Sequence, residues 1–402
     1  MAAFPQPDRS CPVCEPELTE SSETSNVRLI DSSTRIPALD GLRGIAILLV
    51  LLCHAVFFEL HSSSKFLSPL LTIGKLTWSG VDLFFVLSGF LIGGILLDAK
   101  DSPHYFKTFY ARRAYRILPL YAVLLAVFSL RFLTARGSAG PLGTFTPSPI
   151  PWASYVTFTQ NIWMGLRGTL GVGTMAATWS LAVEEQFYLT APLVIRKVDR
   201  SHLTLLLISI VMAAPVLRTA LLVFLEHGNF AAYVFMPCRA DSLSLGVLCA
   251  LLVRTDRLWQ FVFAHRSALC WLTGGLALGL IPIAFGGDPE SRTMVTIGYS
   301  WLAFFYTGCL LIAITGANAT IQRILCSRSL MQLGGLAYCV YLVHQPLMEA
   351  SRRALGLRFA YSSTPVHFIG GVIGILIGLG IAKLSWAFFE KPILRRGHAH
   401  KF

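Results

Sequence analysis

A chain of 402 residues that is 54% hydrophobic, only 13% charged and of mean hydropathy +0.62 is not a soluble globular protein, in which charged residues make up about a quarter of the total. The net charge of +12 reads as basic residues in short loops that orient helices in a bilayer, not as a nucleic-acid surface. Nine cysteines, an odd number and mostly within apolar runs, give no disulfide framework, and scattered histidines without ligand spacing imply no metal.

Residues 1–34 are polar and rich in Pro, Ser and Glu, with no cleavable signal peptide, and read as a disordered cytoplasmic tail. Cys11 and Cys14 form a lone CxxC without a second pair, a weak zinc or redox signal. Ten spans follow, at about 41–58, 80–97, 117–134, 179–195, 203–225, 237–253, 267–286, 297–315, 330–349 and 366–389. They make residues 35–394 one all-α, polytopic membrane domain, followed by a short basic cytoplasmic tail, 395–402. The stretch 151–164 (PWASYVTFTQNIWM) is apolar but short and Trp-rich, and is read as interfacial or re-entrant. Counting it as a span would move RKVDR, 196–200, to the outside and reverse every later loop. With both termini on the cytoplasmic face of the cell membrane, most of the 33 Lys and Arg fall on that face. Arg352, Arg353 and Arg358 run against this orientation. The segment 135–178 is expected to form a partly ordered outer lid.

Charges inside the spans point to chemistry. Arg43 and His54 lie eleven residues apart in the first span, hence on one helix face about 16 Å apart. An ionisable side chain in hydrocarbon costs at least ~2.5 kcal/mol and usually faces a cavity with a task. Asp82 precedes Phe85, Val86, Gly89 and Gly93 on one face of the second span, which places it on a packed surface; the plainer reading is a helix-end aspartate. In TWSLAVEEQFYL, Glu184 shares its face with Ser180 and Tyr188, whereas Glu185 has only leucines beside it, so Glu184 is the functional carboxylate; a structural ion pair, for instance with Arg239, is the alternative. Asp82 and Glu184 are expected beside His54, where an acid fixes the tautomer of a general base. Trp179, Ser180, Tyr188, Asn161, Arg239, Asp241 and His344 are the candidate substrate contacts. Arg113 and Arg116, three apart before the third span, can present paired guanidiniums to phosphates, although topology alone also asks for basic residues there.

Five stretches, ALDGLRGIAILLVLLCH, GVDLFFVLSGFLIG, FYARRAYRILPLY, TWSLAVEEQFYL and FFEKPI, together resemble acyltransferase family 3, the integral membrane O-acyltransferases. RADSLSLG and LAYCVYLVHQP agree with it, and the resemblance covers roughly residues 38 to 393. It implies an acyl-CoA donor, acetyl-CoA foremost, and a hydroxyl acceptor on a glycan, glycolipid or macrolide. The family's arginine, ten residues, histidine pattern falls on Arg43 and His54, with the histidine essential. Its RxxR, tied to the CoA donor, falls on Arg113 and Arg116, and its glutamate on Glu184.

The expectation is therefore a ten-helix O-acyltransferase. Arg43, Arg113 and Arg116 hold acyl-CoA, His54 acts as general base or acyl carrier, and Glu184 or Asp82 orients it. Some members of the family carry a fused hydrolase-like domain; ending twelve residues after Glu390, this chain is expected to finish transfer itself or through a separate periplasmic partner. A proton-coupled transporter is the rival of a different class, disfavoured by the lack of an inverted repeat. A non-catalytic scaffold subunit is the third reading.

Overall fold

The computed structural model describes residues 36–57, 67–134, 149–286, 288–357 and 365–402. The expected N-terminal tail with its CxxC, and Arg358, lie outside the described residues. No strand occurs among those described. Apolar runs of about 20 residues can satisfy their backbone groups internally only as helices, and they do so here.

Helix α1 (Pro37–Leu52) opens on a proline whose fixed φ suits a first turn, and continues as a π-helical turn, Cys53–Phe57. Helix α2 (Leu67–Lys75) runs through a 3₁₀ turn, Leu76–Ser79, into α3 (Gly80–Asp98). Helix α4 (Tyr105–Thr134) is followed by three short helices, α5 (Trp152–Val156), α6 (Gln160–Arg167) and α7 (Gly173–Ala176). Next come α8 (Thr178–Lys197), α9 (Arg200–Phe224), α10 (Gly228–Val234), α11 (Met236–Leu252) and α12 (Asp256–Ala264). Helix α13 (Arg266–Phe285) and a π turn, Met294–Gly298, lead to α14 (Tyr299–Thr315), α15 (Ala319–Leu325) and α16 (Arg328–Ala354). Helix α17 (Pro365–Ser385) passes through a further π turn, Trp386–Glu390, into α18 (Lys391–His398).

Among the described residues, eight helical stretches are long and apolar enough to cross a membrane, and each overlaps one of the ten expected spans. The remaining two, 179–195 and 330–349, fold as α8 and α16, which are long enough but carry Glu184 and Glu185, and Glu349, Arg352 and Arg353. The chain is a multi-pass membrane protein, and these two helices line the site. The stretch 151–164 does not span. It is broken between α5 and α6, where Phe158 adopts a left-handed φ of 53°.

Close helix approach sets the architecture. A Cβ on Gly334 of α16 would overlap the Asp40 carbonyl of α1, and one on Gly89 of α3 would overlap the Leu243 carbonyl of α11. The second contact brings Asp82 of α3 and Arg239 of α11 together as an ion pair with both side chains fully buried. Beside it, Arg218 of α9 donates to Asp241 at 2.8 Å, to the Cys238 carbonyl at 2.6 Å, to the Val295 carbonyl at 2.9 Å and to Ser300 at 2.6 Å. Arg239 also lies over the Tyr299 ring, 3.8 Å from its centroid. Two acids and two arginines thus neutralise one another where α3, α9, α11 and α14 meet.

Candidate active site

Two voids adjoin inside the bundle. The smaller, about 200 Å³, is lined by Arg43, Arg113 and Arg116 and by one face of α8, namely Ser180, Glu184 and Tyr188. That face repeats every four residues, as helix geometry requires. Ser88 of α3 donates to Glu184 Oε1 at 2.6 Å. Arg43 also makes a long contact with Asp40 one turn earlier, at 3.4 Å. Three guanidiniums and one carboxylate line this cavity, and with Asp40 behind Arg43 the formal excess is one positive charge.

The larger void, about 900 Å³, is lined by His54, the aromatic rings of Trp78, Trp179 and Tyr233, and Gln345, Glu349, Arg352 and Arg353 of α16. Asp288 and Glu290 reach it from the loop before α14; partial burial and the neighbouring Asp288 hold the Glu290 carboxyl above the ordinary carboxylate range. Val81 and Tyr341 line both voids and so form the partition between them. The Tyr341 hydroxyl is fixed by Ser180 Oγ at 2.6 Å and the Ala177 carbonyl at 3.1 Å.

His54 sits in the π turn at the end of α1, with Nδ1 2.9 Å from the Val50 carbonyl. A carbonyl can only accept, so Nδ1 carries the proton and the neutral ring keeps its lone pair on Nε2. The neighbour of His54 is His344 of α16, ring centroids 5.0 Å apart at 67°. His344 is 1% exposed, its Nδ1–H donates to the Tyr341 carbonyl at 2.6 Å, and its Nε2 has no hydrogen-bond partner among the described residues.

Several expected placements are corrected. His54 was expected beside Glu184 or Asp82, yet Glu184 lines the arginine void and bonds Ser88, and Asp82 pairs with Arg239. The physical reason is that a buried charge is tolerable only with its counter-charge, and Asp82, Arg239 and Asp241 complete that requirement with Arg218, lining neither void. Asn161 likewise lines neither. It exchanges hydrogen bonds with Gln186, at 2.8 and 3.3 Å, and donates to the Val234 carbonyl at 3.1 Å, which ties α6 to α8 and α10. The structure does bring together Arg43, Arg113, Arg116, Ser180, Glu184 and Tyr188 in one void, and it brings Trp179 to His54's void with His344 behind it. Sequence reasoning passed over Ser88, Tyr341 and Arg218. Each was a polar side chain within an apolar run, and Tyr341 is one turn before His344. The Arg352 and Arg353 cluster, at odds with the loop charge rule, belongs to the site: Arg353 pairs with Glu349, and Arg352 Nε donates to the His367 carbonyl at 3.3 Å.

No solved structure matches the chain. YrhL of Bacillus subtilis, named for peptidoglycan O-acetylation, is 27% identical over 398 residues, covering 90% of this chain and 55% of its own length. MdmB of Streptomyces mycarofaciens, named an acyltransferase, is 28% identical over 381 residues, covering 90% and 92%. OatA of Staphylococcus aureus, named an O-acetyltransferase, is 24% identical over 378 residues, covering 90% and 58%. The chain thus spans little more than half the length of YrhL and OatA but nearly all of MdmB. A family model described as an acyltransferase domain matches residues 36–383, and with that match over most of its length the chain belongs to acyltransferase family 3.

Proposed function

We propose that this protein is a membrane O-acyltransferase that takes an acetyl or other short acyl group from acyl-CoA at the arginine void and delivers it to a hydroxyl in the His54 void. The observation that carries the reading is the shared partition at Val81 and Tyr341, on one side of which lies a cavity rich in guanidinium and on the other a cavity that holds a histidine of fixed tautomer. The guanidiniums of Arg43, Arg113 and Arg116 complement the negative charge of a diphosphate diester such as that in CoA. The thioester end then extends past the partition, and the arginine side faces the cytoplasm, where acyl-CoA is available.

Nε2 of His54 takes the proton of the acceptor hydroxyl as its oxygen attacks the thioester carbonyl. Collapse of the tetrahedral intermediate breaks the carbon–sulfur bond, and the departing thiolate receives that proton. Transfer by way of an acyl-His54 intermediate uses the same geometry in two steps. The aromatic wall of Trp78, Trp179 and Tyr233 offers flat apolar faces of the kind that pack against sugar rings, and the size of the void suits a glycan or glycosylated acceptor. The name given to YrhL, which specifies peptidoglycan, supports a cell-envelope glycan.

The test uses purified protein in nanodiscs, labelled acetyl-CoA and envelope glycan fractions. Label moves to glycan with the native chain and not with His54→Ala. Full transfer by a folded His54→Ala variant sinks the mechanism.

A further inference from the structure

Gln345 of α16 lies one turn beyond Tyr341 and lines the His54 void. Its amide has a defined orientation. The backbone N–H of Ala177 donates to Oε1 at 3.1 Å, and since a peptide N–H can only donate, Nε2 with its two hydrogens is the other end of the amide. Nε2 has no hydrogen-bond partner among the described residues. Ala177, where α7 ends and α8 begins, also holds the partition: its carbonyl accepts from the Tyr341 hydroxyl at 3.1 Å. One residue therefore fixes Tyr341 through its oxygen and Gln345 through its nitrogen, which sets the Gln345 amide beside the partition, in the void of His54. The ring of His344, next to Gln345 in the chain, has its centroid 5.0 Å from that of His54 and 5.7 Å from that of Tyr341.

Fastening α16 to the start of α8 needs only Oε1 and leaves two N–H donors in the void that holds the reacting groups. The arginines farther along the same face of α16 are engaged, Arg353 with Glu349 and Arg352 with the His367 carbonyl. We infer that Gln345 stabilises the tetrahedral intermediate, its Nε2–H donating to the oxygen of the thioester carbonyl. The inference rests on the transferase reading above and adds to it the group that receives the developing negative charge. As the acceptor oxygen attacks, a carbon–oxygen bond forms and the carbonyl π pair moves onto the oxygen, where Nε2–H holds it. The hydroxyl proton meanwhile sits on His54 Nε2. When the carbonyl re-forms, the carbon–sulfur bond breaks and the thiolate takes that proton, so that Gln345 ends unchanged. A neutral amide suits the place: it is oriented before the charge appears, and it adds no positive charge beside a histidine that must itself become positive.

Two variants of the full-length chain in nanodiscs test it. Gln345→Glu keeps an oxygen for the Ala177 N–H but, once ionised, offers no donor; Gln345→Met keeps the length and removes both ends of the amide. Loss of one donor to an oxyanion lowers kcat about 10²–10³-fold. Both variants should fall by that factor while their affinity for CoA stays native. A second readout is the ketone analogue of acetyl-CoA in which a methylene replaces the sulfur, isotopically labelled at the carbonyl carbon. Its infrared carbonyl stretch should move to lower frequency on binding to native protein, and that shift should vanish in both variants. Native kcat in Gln345→Glu beside a loss in Gln345→Met overturns the inference, because it leaves Gln345 only the Ala177 bond. So does native kcat in both, loss of CoA binding in step with kcat, or a carbonyl stretch that is the same in native and variant protein. Where Gln345→Met does not fold, Gln345→Glu decides. The two readings fail separately. A carbonyl shift that depends on Gln345, in a protein that moves no acyl group, supports the contact and overturns the transferase; full transfer by both variants overturns the contact alone.

Discussion

Two groups of intramembrane charges in this molecule are alike in composition and opposite in character. Asp82, Arg239, Asp241 and Arg218 balance one another in charge and line neither void. Arg43, Arg113, Arg116 and Glu184 surround a cavity with positive charge in excess. A charge in hydrocarbon therefore does not by itself mark a site; what separates structure from function is whether the charges are satisfied by each other or wait for something to arrive. The comparison can be broken in both directions. The largest expected effect is a clean exchange of phenotypes. His54→Ala should lower acyl transfer about 10²–10⁴-fold with little change in melting temperature. Arg218→Met should leave Asp241 buried without its counter-charge and cost about 3–5 kcal/mol of stability, read as a lower melting temperature and a smaller folded fraction in detergent. A folded, inactive Arg218→Met protein would move that arginine into the site.

Next in size is a rescue that only the structural group should allow. Arg239→Met alone strands Asp82 and should destabilise by a similar few kcal/mol, whereas Asp82→Leu with Arg239→Met removes both charges and should recover most of that loss. No paired apolar replacement should restore transfer in the arginine void, because there the charge is needed by the ligand. Failure of the double variant to recover stability would mean that the pair is held for more than mutual satisfaction.

Why the sequence distinguishes these groups only in part follows from the same physics. The helices were legible because spans of apolar residues leave the backbone no alternative, and the Ser180, Glu184 and Tyr188 face followed from helix periodicity alone. The pairing of Asp82 was not legible. Its partner is 157 residues away in the chain, and only the close approach of α3 and α11 at Gly89 and Gly246 decides that Arg239 lies opposite. The π turn at Cys53–Phe57 carries no local signal comparable to a proline or glycine, yet it is where His54 sits, beside His344. Arg352 and Arg353 conflicted with the loop charge rule because the rule counts loops, and these two residues end α16 inside a void.

Within the arginine void the effects should be smaller and should concern the donor. Arg113→Ala or Arg116→Ala should raise KM for acetyl-CoA about ten- to a hundredfold, the value of a charge-assisted contact, with a lesser effect on kcat. Equal losses in kcat and kcat/KM would place these guanidiniums at the reacting carbonyl instead.

The finest distinction lies at the partition. Tyr341 contributes both a ring between the voids and a hydroxyl bonded to Ser180 and the Ala177 carbonyl. Tyr341→Phe keeps the ring and leaves Ser180 its own bond to the Ala177 carbonyl at 3.2 Å, so the change should cost about 1 kcal/mol, a few-fold in transfer. Tyr341→Ala removes the ring and thins the partition. If the partition excludes water from the thioester, this variant should hydrolyse acetyl-CoA in the absence of any acceptor, a reaction the native chain and Tyr341→Phe suppress. The measurement is release of free CoA without glycan present. A Tyr341→Ala protein that binds donor, transfers normally and releases no excess CoA would show that the two voids work without a gate between them.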